Sequence, residues 1–250
     1  MPLDRIQLSQ EILLAAIGDD WPSEQVDAAI ELLASSEGKF PSGVRKLPSE
    51  LVRAVQRERL IVAMLRAASE LGYRGTNVQD VIERAGVSRP TFYEHFANKE
   101  DCFLAAFDTS AKRLRDKVDA AAAGGECWRD RVRLGLEAVL SFVRAEPDTA
   151  RTIIVEARAA SADAVMRRVE LLDHFSTCLD TQARELLPET SQRSEVTASG
   201  VVGGVEALLY SRLCKGESEG IEDLLPSMMY FAVLPYEGHE AASEELALAG

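Results

Sequence analysis

Within AGVSRPTFYEHFANKE, Ala85 to Glu100, the residues Arg89, Thr91, Tyr93 and His95 surround Pro90 in one short segment behind Ser88. Guanidinium, hydroxyl, phenol and imidazole groups donate hydrogen bonds to phosphate oxygens and to base edges. The chemistry these residues offer is recognition of nucleic acid. Taken alone, Tyr93 reads as surface packing or as a phosphate contact, and His95 as a solvated or capping residue or as a base contact.

No comparable grouping elsewhere supports catalysis. Cys102, Cys127, Cys178 and Cys214 are scattered, form no CxxC pair, and read as buried thiols in apolar helical contexts. His95, His174 and His239 lie far apart without HExxH spacing, so neither a metal site nor a cofactor is expected. Gly200-Val-Val-Gly203-Gly204 has glycines but no preceding strand pattern and no following GK[ST], which argues against a nucleotide loop. An enzyme is therefore not the expected class.

The elements that must position the polar cluster are legible from caps and periodicity. Ile61, Met64, Leu65, Ala68 and Leu71 form one helical stripe, and Gly72 and Gly75 stop that helix. Asn77 caps a short helix with Asp80 three residues on, burying Val78, Val81, Ile82 and Ala85. Gly86 supplies a left-handed turn, Ser88 caps the next helix and Pro90 falls in its first turn. Phe92 and Phe96 face inward, and Asn98 with Asp101 opens a long helix whose stripe is Phe103, Phe107, Ser110, Leu114 and Val118. Two short helices joined by a glycine turn form a helix-turn-helix.

The chain has 250 residues and a formal charge of -13, yet its bases are locally concentrated. From residue 39 to 66, Lys39, Arg45, Lys46, Arg53, Arg57, Arg59 and Arg66 oppose only Glu50 and Glu58. A basic edge on an acidic body turns that edge toward DNA and keeps the body away. Arg45 and Lys46 lie in a Gly/Pro linker and read as a minor-groove arm or as a solvated connection. No apolar run approaches the roughly 20 residues of a membrane span, and the start does not read as a signal peptide, so the cytoplasm is expected.

The stretch TNVQDVIERAGVSRPTFYEHFANKEDCFLAAF resembles the tetracycline-repressor (TetR) family of bacterial regulators, specifically over Gln56 to about Leu114. Farther on, the helical layout and MMYFAVLPYEG are similar. The resemblance implies a homodimer with a DNA-binding head, a double-stranded operator as partner and a body that binds a small-molecule effector. It implies that Tyr93 and Lys99 touch phosphates and that Arg89, Pro90 and Thr91 approach bases. Asn77 stands where the family has a threonine, and the first 47 residues replace a short arm.

The expected fold is all-α: a three-helix DNA-binding domain over 48–100, then a helical ligand-binding and dimerisation domain over 101–250. Residues 1–47 would form a helical extension, with helices around Ile12–Ile17 and Val26–Leu33, and the basic linker. That extension serves as a packing module, a dimer contact or a second DNA contact. In the body, Trp128, Val132, Leu136, Val139 and Val143 form a stripe, as do Val165, Val169, Leu172, Leu179, Ala183 and Leu186; Pro235 ends a last apolar helix before a polar tail. Trp128, Phe142, Phe175, Tyr210 and Glu156 are candidate effector contacts, although each aromatic reads equally as core. Glu137, Glu156 and Asp173 read as a solvated face or as partners for a cationic ligand. Gly203 and Gly204 inside a helix cost about 1 kcal/mol each against alanine, which calls for a packing reason. In a family whose dimers form from the last two long helices, Gly200, Gly203, Gly204, Ala207 and Met228 are the expected interface. The function these features predict is a repressor released from a palindromic operator by an effector; the alternative is control by a protein partner through the extension.

Overall fold

The computed structural model describes residues 22–34, 48–187, 194, 196–217 and 219–247, and among them every regular element is a helix. The expected helix at Ile12–Ile17 and the linker bases Lys39, Arg45 and Lys46 lie outside the described residues. The described residues divide into two compact units, one reaching Thr109 and including Ala159–Ser161, the other holding Ser110–Arg158 and everything from Ala162 onward. The division falls within a helix, nine residues beyond the boundary expected at 100.

The first unit contains α1 (Ser23–Ala34), α2 (Ser49–Gly75), α3 (Val78–Ala85), α4 (Arg89–His95) and the start of α5 (Lys99–Ala122). α1 packs on α2 and buries Ala29. The α2 stripe is buried at Ile61, Met64, Leu65 and Ala68, but Leu71 is exposed, one residue before Gly72 leaves the helical region at φ 72° and ends the register. α3 has the full capping box: Asn77 accepts from the Gln79 and Asp80 backbones, and Asp80 accepts from the Asn77 N–H. Gly86 ends α3 at φ 64°, ψ 32°, a region where a Cβ costs energy, and turns the chain into α4. Phe92 from α4 and Phe96 at its C-cap join Phe103 and Phe107 from α5 in the core.

The second unit contains the rest of α5, α6 (Trp128–Ala145), α7 (Pro147–Arg151), a π-turn over Thr152–Glu156, α8 (Ala157–Ala160), α9 (Ala162–Leu186), α10 (Thr197–Cys214), a 3-10 turn over Ile221–Leu224 and α11 (Leu225–Ala247). Pro147 does more than end α6: it is the first residue of α7, where its missing N–H has no helical partner to lose. The Trp128 ring lies 4.7 Å from that of Tyr236, tilted by 42°, in a core with Val132, Met229 and Val233. On α9, Val165 and Val169 are exposed, because Ala164 and Leu171 carry the buried face.

The last apolar helix does not end at Pro235 as expected, and the polar tail is helical. α11 continues through Pro235 and changes direction at Gly238 (φ 87°), after which a second helical arm returns with Ala242 and Glu245 buried. Charge holds that arm. Arg129 donates to Glu237 at 2.9 Å and to Glu244 at 2.8 Å, and Arg133 pairs with Glu245. The apparently polar tail sequence conceals its fold because its fixing partners lie more than 100 residues earlier.

Candidate nucleic-acid interface

The short α4 helix is built from its ends inward. The Ser88 Oγ accepts from the Thr91 N–H at 3.2 Å and shares a 2.8 Å hydrogen bond with the Thr91 hydroxyl. At the other end, Arg53 Nη2 donates to the Glu94 carbonyl at 3.3 Å, placing a cation at the negative end of the helix. Phe92 anchors the buried side, and Tyr93 stands edge-on to it with 51% of its surface exposed. Arg57 lies 5.4 Å over the Phe96 ring, bracing the following turn.

Ser88, Arg89, Pro90 and Tyr93 are exposed together, with Thr91 half-buried beside them. Arg89 Nη2 donates to the Gln79 Oε1 at 2.9 Å, so the guanidinium is steered by α3. Sequence reasoning missed Gln79, whose only signal was its exposed place in the first turn of the preceding helix. Arg84 is occupied differently, bridging the Asp80 carbonyl and the Glu70 carboxylate. Asn77 spends its side-chain oxygen on the helix cap. Its amide nitrogen remains the group suited to a phosphate.

Two site residues take positions that differ from their sequence reading. His95 is not on the exposed face: it is half-buried, and its Nε2 atom is buried without a hydrogen-bond partner. Burial, reinforced by Arg53 and Arg57 and opposed by Glu94, lowers its pKa and favours the neutral ring. Lys99 donates to the Tyr73 and Thr76 carbonyls at 2.9 and 2.8 Å and lies 4.1 Å over the Tyr73 ring. It thus ties the end of α2 to the start of α5, leaving one N–H donor for any phosphate. Arg59, counted with the basic edge in sequence, is buried at 3% exposure.

The second unit holds a cavity of about 120 Å³ between α5, α6, α9, α10 and α11, walled by Val118, Leu136, Phe175, Leu179, Val201 and neighbouring residues. Of the five expected effector contacts only Phe175 reaches it. Trp128 and Phe142 are core residues; Glu156 is buried near Arg151, 3.5 Å away; Tyr210 lies under the Arg158 guanidinium at 4.0 Å. Glu137 and Asp173 are solvent-facing. The expectation that all four cysteines are buried fails as well, since only Cys102 is, while Cys127 and Cys214 are exposed.

The glycine helix α10 also separates into distinct roles. A Cβ at Gly204 would fall 2.4 Å from the Phe231 ring, so this glycine admits α11 of the same chain. A Cβ at Gly200 or Gly203 would meet nothing within 4 Å. Met228 is completely buried and offers no outer surface, correcting its place in the expected interface. Gly200, Ala207, Leu208 and Phe231 are exposed.

The model of the bacterial regulatory proteins of the tetR family matches residues 60–106, the segment from mid-α2 into α5. Over these residues the chain is similar to the TetR family. Among curated relatives, the transcriptional activator FasR of Mycolicibacterium smegmatis is 29% identical over 115 residues, 46% of this chain and 52% of FasR. The chain spans about half the length of the curated relatives it matches. A TetR-like transcriptional regulator from Rhodococcus sp. RHA1 superposes with a TM-score of 0.62 at 21% identity, covering 76% of this chain and 97% of that structure. FadR of Bacillus subtilis, solved in complex with stearoyl-CoA, gives 0.63 at 17% identity, covering 72% and 97%. These structures establish the TetR-like helical fold. No described helix is long and apolar enough to cross a membrane.

Proposed function

We propose that this protein is a homodimeric DNA-binding transcriptional regulator that places α4 in the major groove of an operator and leaves it when a small apolar molecule fills the cavity of the second unit. The observation that carries the DNA reading is α4 itself, capped at both ends and presenting Ser88, Arg89, Pro90 and Tyr93 outward. Arg89 and Thr91 read base edges; Tyr93, the Asn77 amide and the remaining Lys99 donor meet phosphates. Arg45 and Lys46 serve as an arm in the adjoining minor groove. The apolar cavity favours a small-molecule effector over a protein partner acting through residues 1–47, and repression is the simplest outcome of an effector that lowers operator affinity.

Selection of bound sequences from a random DNA pool tests the reading. A palindromic consensus is expected, and no enrichment over nonspecific binding refutes it. Arg89→Ala is expected to relax one position in each half-site, since a bidentate arginine–guanine pair discriminates by about 1–3 kcal/mol. An unchanged consensus from this variant removes Arg89 from the base readers.

The dimer surface is tested by neighbouring glycines. Gly203→Leu has open space within its own chain, so its expected effect is a folded monomer with weak operator binding, measured by sedimentation. Gly204→Ala instead meets the tip of the exposed Phe231 ring, which must swing aside, and the helix propensity that alanine gains offsets this, so the stability of the second unit is expected to stay within about 1 kcal/mol. A normal Gly203→Leu dimer places the interface elsewhere.

A further inference from the structure

His174 and Cys178 lie four residues apart on α9, a spacing that puts both on one helical face. α5 brings Asp119 against them. His174 Nε2 lies 2.9 and 3.2 Å from the two Asp119 carboxylate oxygens and 3.7 Å from Cys178 Sγ. One donor atom from each of the three residues falls within 4.8 Å of the others. A tetrahedral ion with bonds of about 2.0–2.3 Å separates its ligand atoms by about 3.3–3.8 Å. The three donors therefore stand near their bound spacing already.

We propose that Asp119, His174 and Cys178 bind a divalent ion of the zinc class, with its fourth position open to the apolar cavity. Asp119 and Cys178 both line that cavity, so an ion held there would add a cationic anchor point to a largely apolar wall whose polar members also include Arg131 and Gln182. Sulfur and imidazole donors select borderline-soft ions over magnesium or calcium, and three protein ligands with one open position suit an exchangeable fourth ligand. Water or an anionic head group of a cavity occupant completes the coordination.

The geometry separates this assignment from two others. A nucleophilic triad uses the two imidazole nitrogens on different partners: one receives the nucleophile's proton and the other is held by the carboxylate. Here the carboxylate and the thiol both approach Nε2, so the carboxylate does not orient the ring for the thiol. A plain Asp119–His174 ion pair accounts for two of the donors but not for the sulfur directed at the same nitrogen. A single ion shared by oxygen, nitrogen and sulfur accounts for all three. Asp119 and His174 side chains are 44% and 32% exposed, which leaves an ion a route in.

The test uses full-length protein stripped with a chelator and titrated with Co²⁺, followed by competition with Zn²⁺. The expected result is one equivalent per chain, a thiolate-to-cobalt charge-transfer band and its loss on adding Zn²⁺. Cys178→Ser abolishes the band, while a Cys127→Ser, Cys214→Ser double variant, altering the two exposed thiols, retains it. Asp119→Asn, a change on a solvent-facing side chain that keeps the fold, lowers affinity by at least about tenfold. Absence of the band in the unaltered protein overturns the proposal and leaves an ion pair. So does a band that persists in Cys178→Ser, or an affinity unchanged by Asp119→Asn. None of these readouts involves DNA, so the metal site and the regulator reading succeed or fail separately.

Discussion

Phe92→Ala is expected to remove about 3–5 kcal/mol from the stability of the DNA-binding unit. The ring is fully buried, with Phe96 5.9 Å away and Tyr93 edge-on at 5.3 Å, and nothing on a seven-residue helix can slide in to replace it. Alanine forfeits the transfer energy of the ring and leaves a cavity whose walls are held by the neighbouring caps. Domains hold only about 5–15 kcal/mol in total, so this loss takes a large share of the stability. Native-state hydrogen exchange is the measurement: amides of α2 to α4 should lose protection while those of α6 and α11, which have their own core around Trp128, keep theirs. Specific DNA binding should fall with the population of folded head. Unchanged protection in α4 contradicts the anchoring role of Phe92.

The second large effect is one of pH. Glu58 is buried at 2% exposure in α2, and burial, opposed by Arg57, pushes its carboxyl from 4.5 up to about 7. A carboxyl with a raised folded pKa holds its proton in the native state after the unfolded chain has released it. Its contribution is therefore most favourable below pH 4.5, declines as pH rises to about 7, and is flat above. At about 1.4 kcal/mol per pH unit, the fall across that window is about 3 kcal/mol. Glu58→Gln should flatten this part of the stability profile, measured as the difference in urea denaturation between the two proteins from pH 4 to 8. Parallel profiles for the two proteins refute a raised Glu58 pKa.

Both effects belong to the same unit, and they differ in how far sequence reveals them. Phe92 and Phe96 are four apart, on a capped helix and at its C-cap, so their inward face is readable directly. Glu58 sits between Arg57 and Arg59, and in sequence the three look like part of a charged surface. α2 places Glu58 and Arg59 inside because a long helix offers several faces, and the neighbouring helices decide which are covered. Arg59 left the basic edge for that reason, while Arg53 stayed at the surface and found the α4 carbonyl.

The same contrast holds in the body. Tryptophan and phenylalanine types suggested effector contacts, yet Trp128 and Phe142 are buried in the core and do not reach the apolar cavity. The cavity is walled mainly by valines and leucines of half-buried stripes, where smaller side chains from five helices fail to meet. Gly203 and Gly204 are adjacent and identical in composition, but a helix turns about 100° per residue, so one faces Phe231 and the other open space.

What the sequence determined by itself is everything whose cause lies within a few residues: the Asn77–Asp80 capping box, the Gly86 turn, the Ser88 cap with Pro90 behind it, and hence the helix-turn-helix and the all-helical class. Caps and turns are local hydrogen bonds, and their partners are neighbours in the chain. Only the tertiary structure decided the steering of Arg89 by Gln79, the commitment of Lys99 to two carbonyls, the burial of Glu58, the return of the C-terminal arm and the meeting of Asp119 with His174 and Cys178. Apart from the burial of Glu58, these features join residues 10 to more than 100 positions apart. Their energies come from desolvation and from charges brought together by packing, quantities that no short window of residues contains.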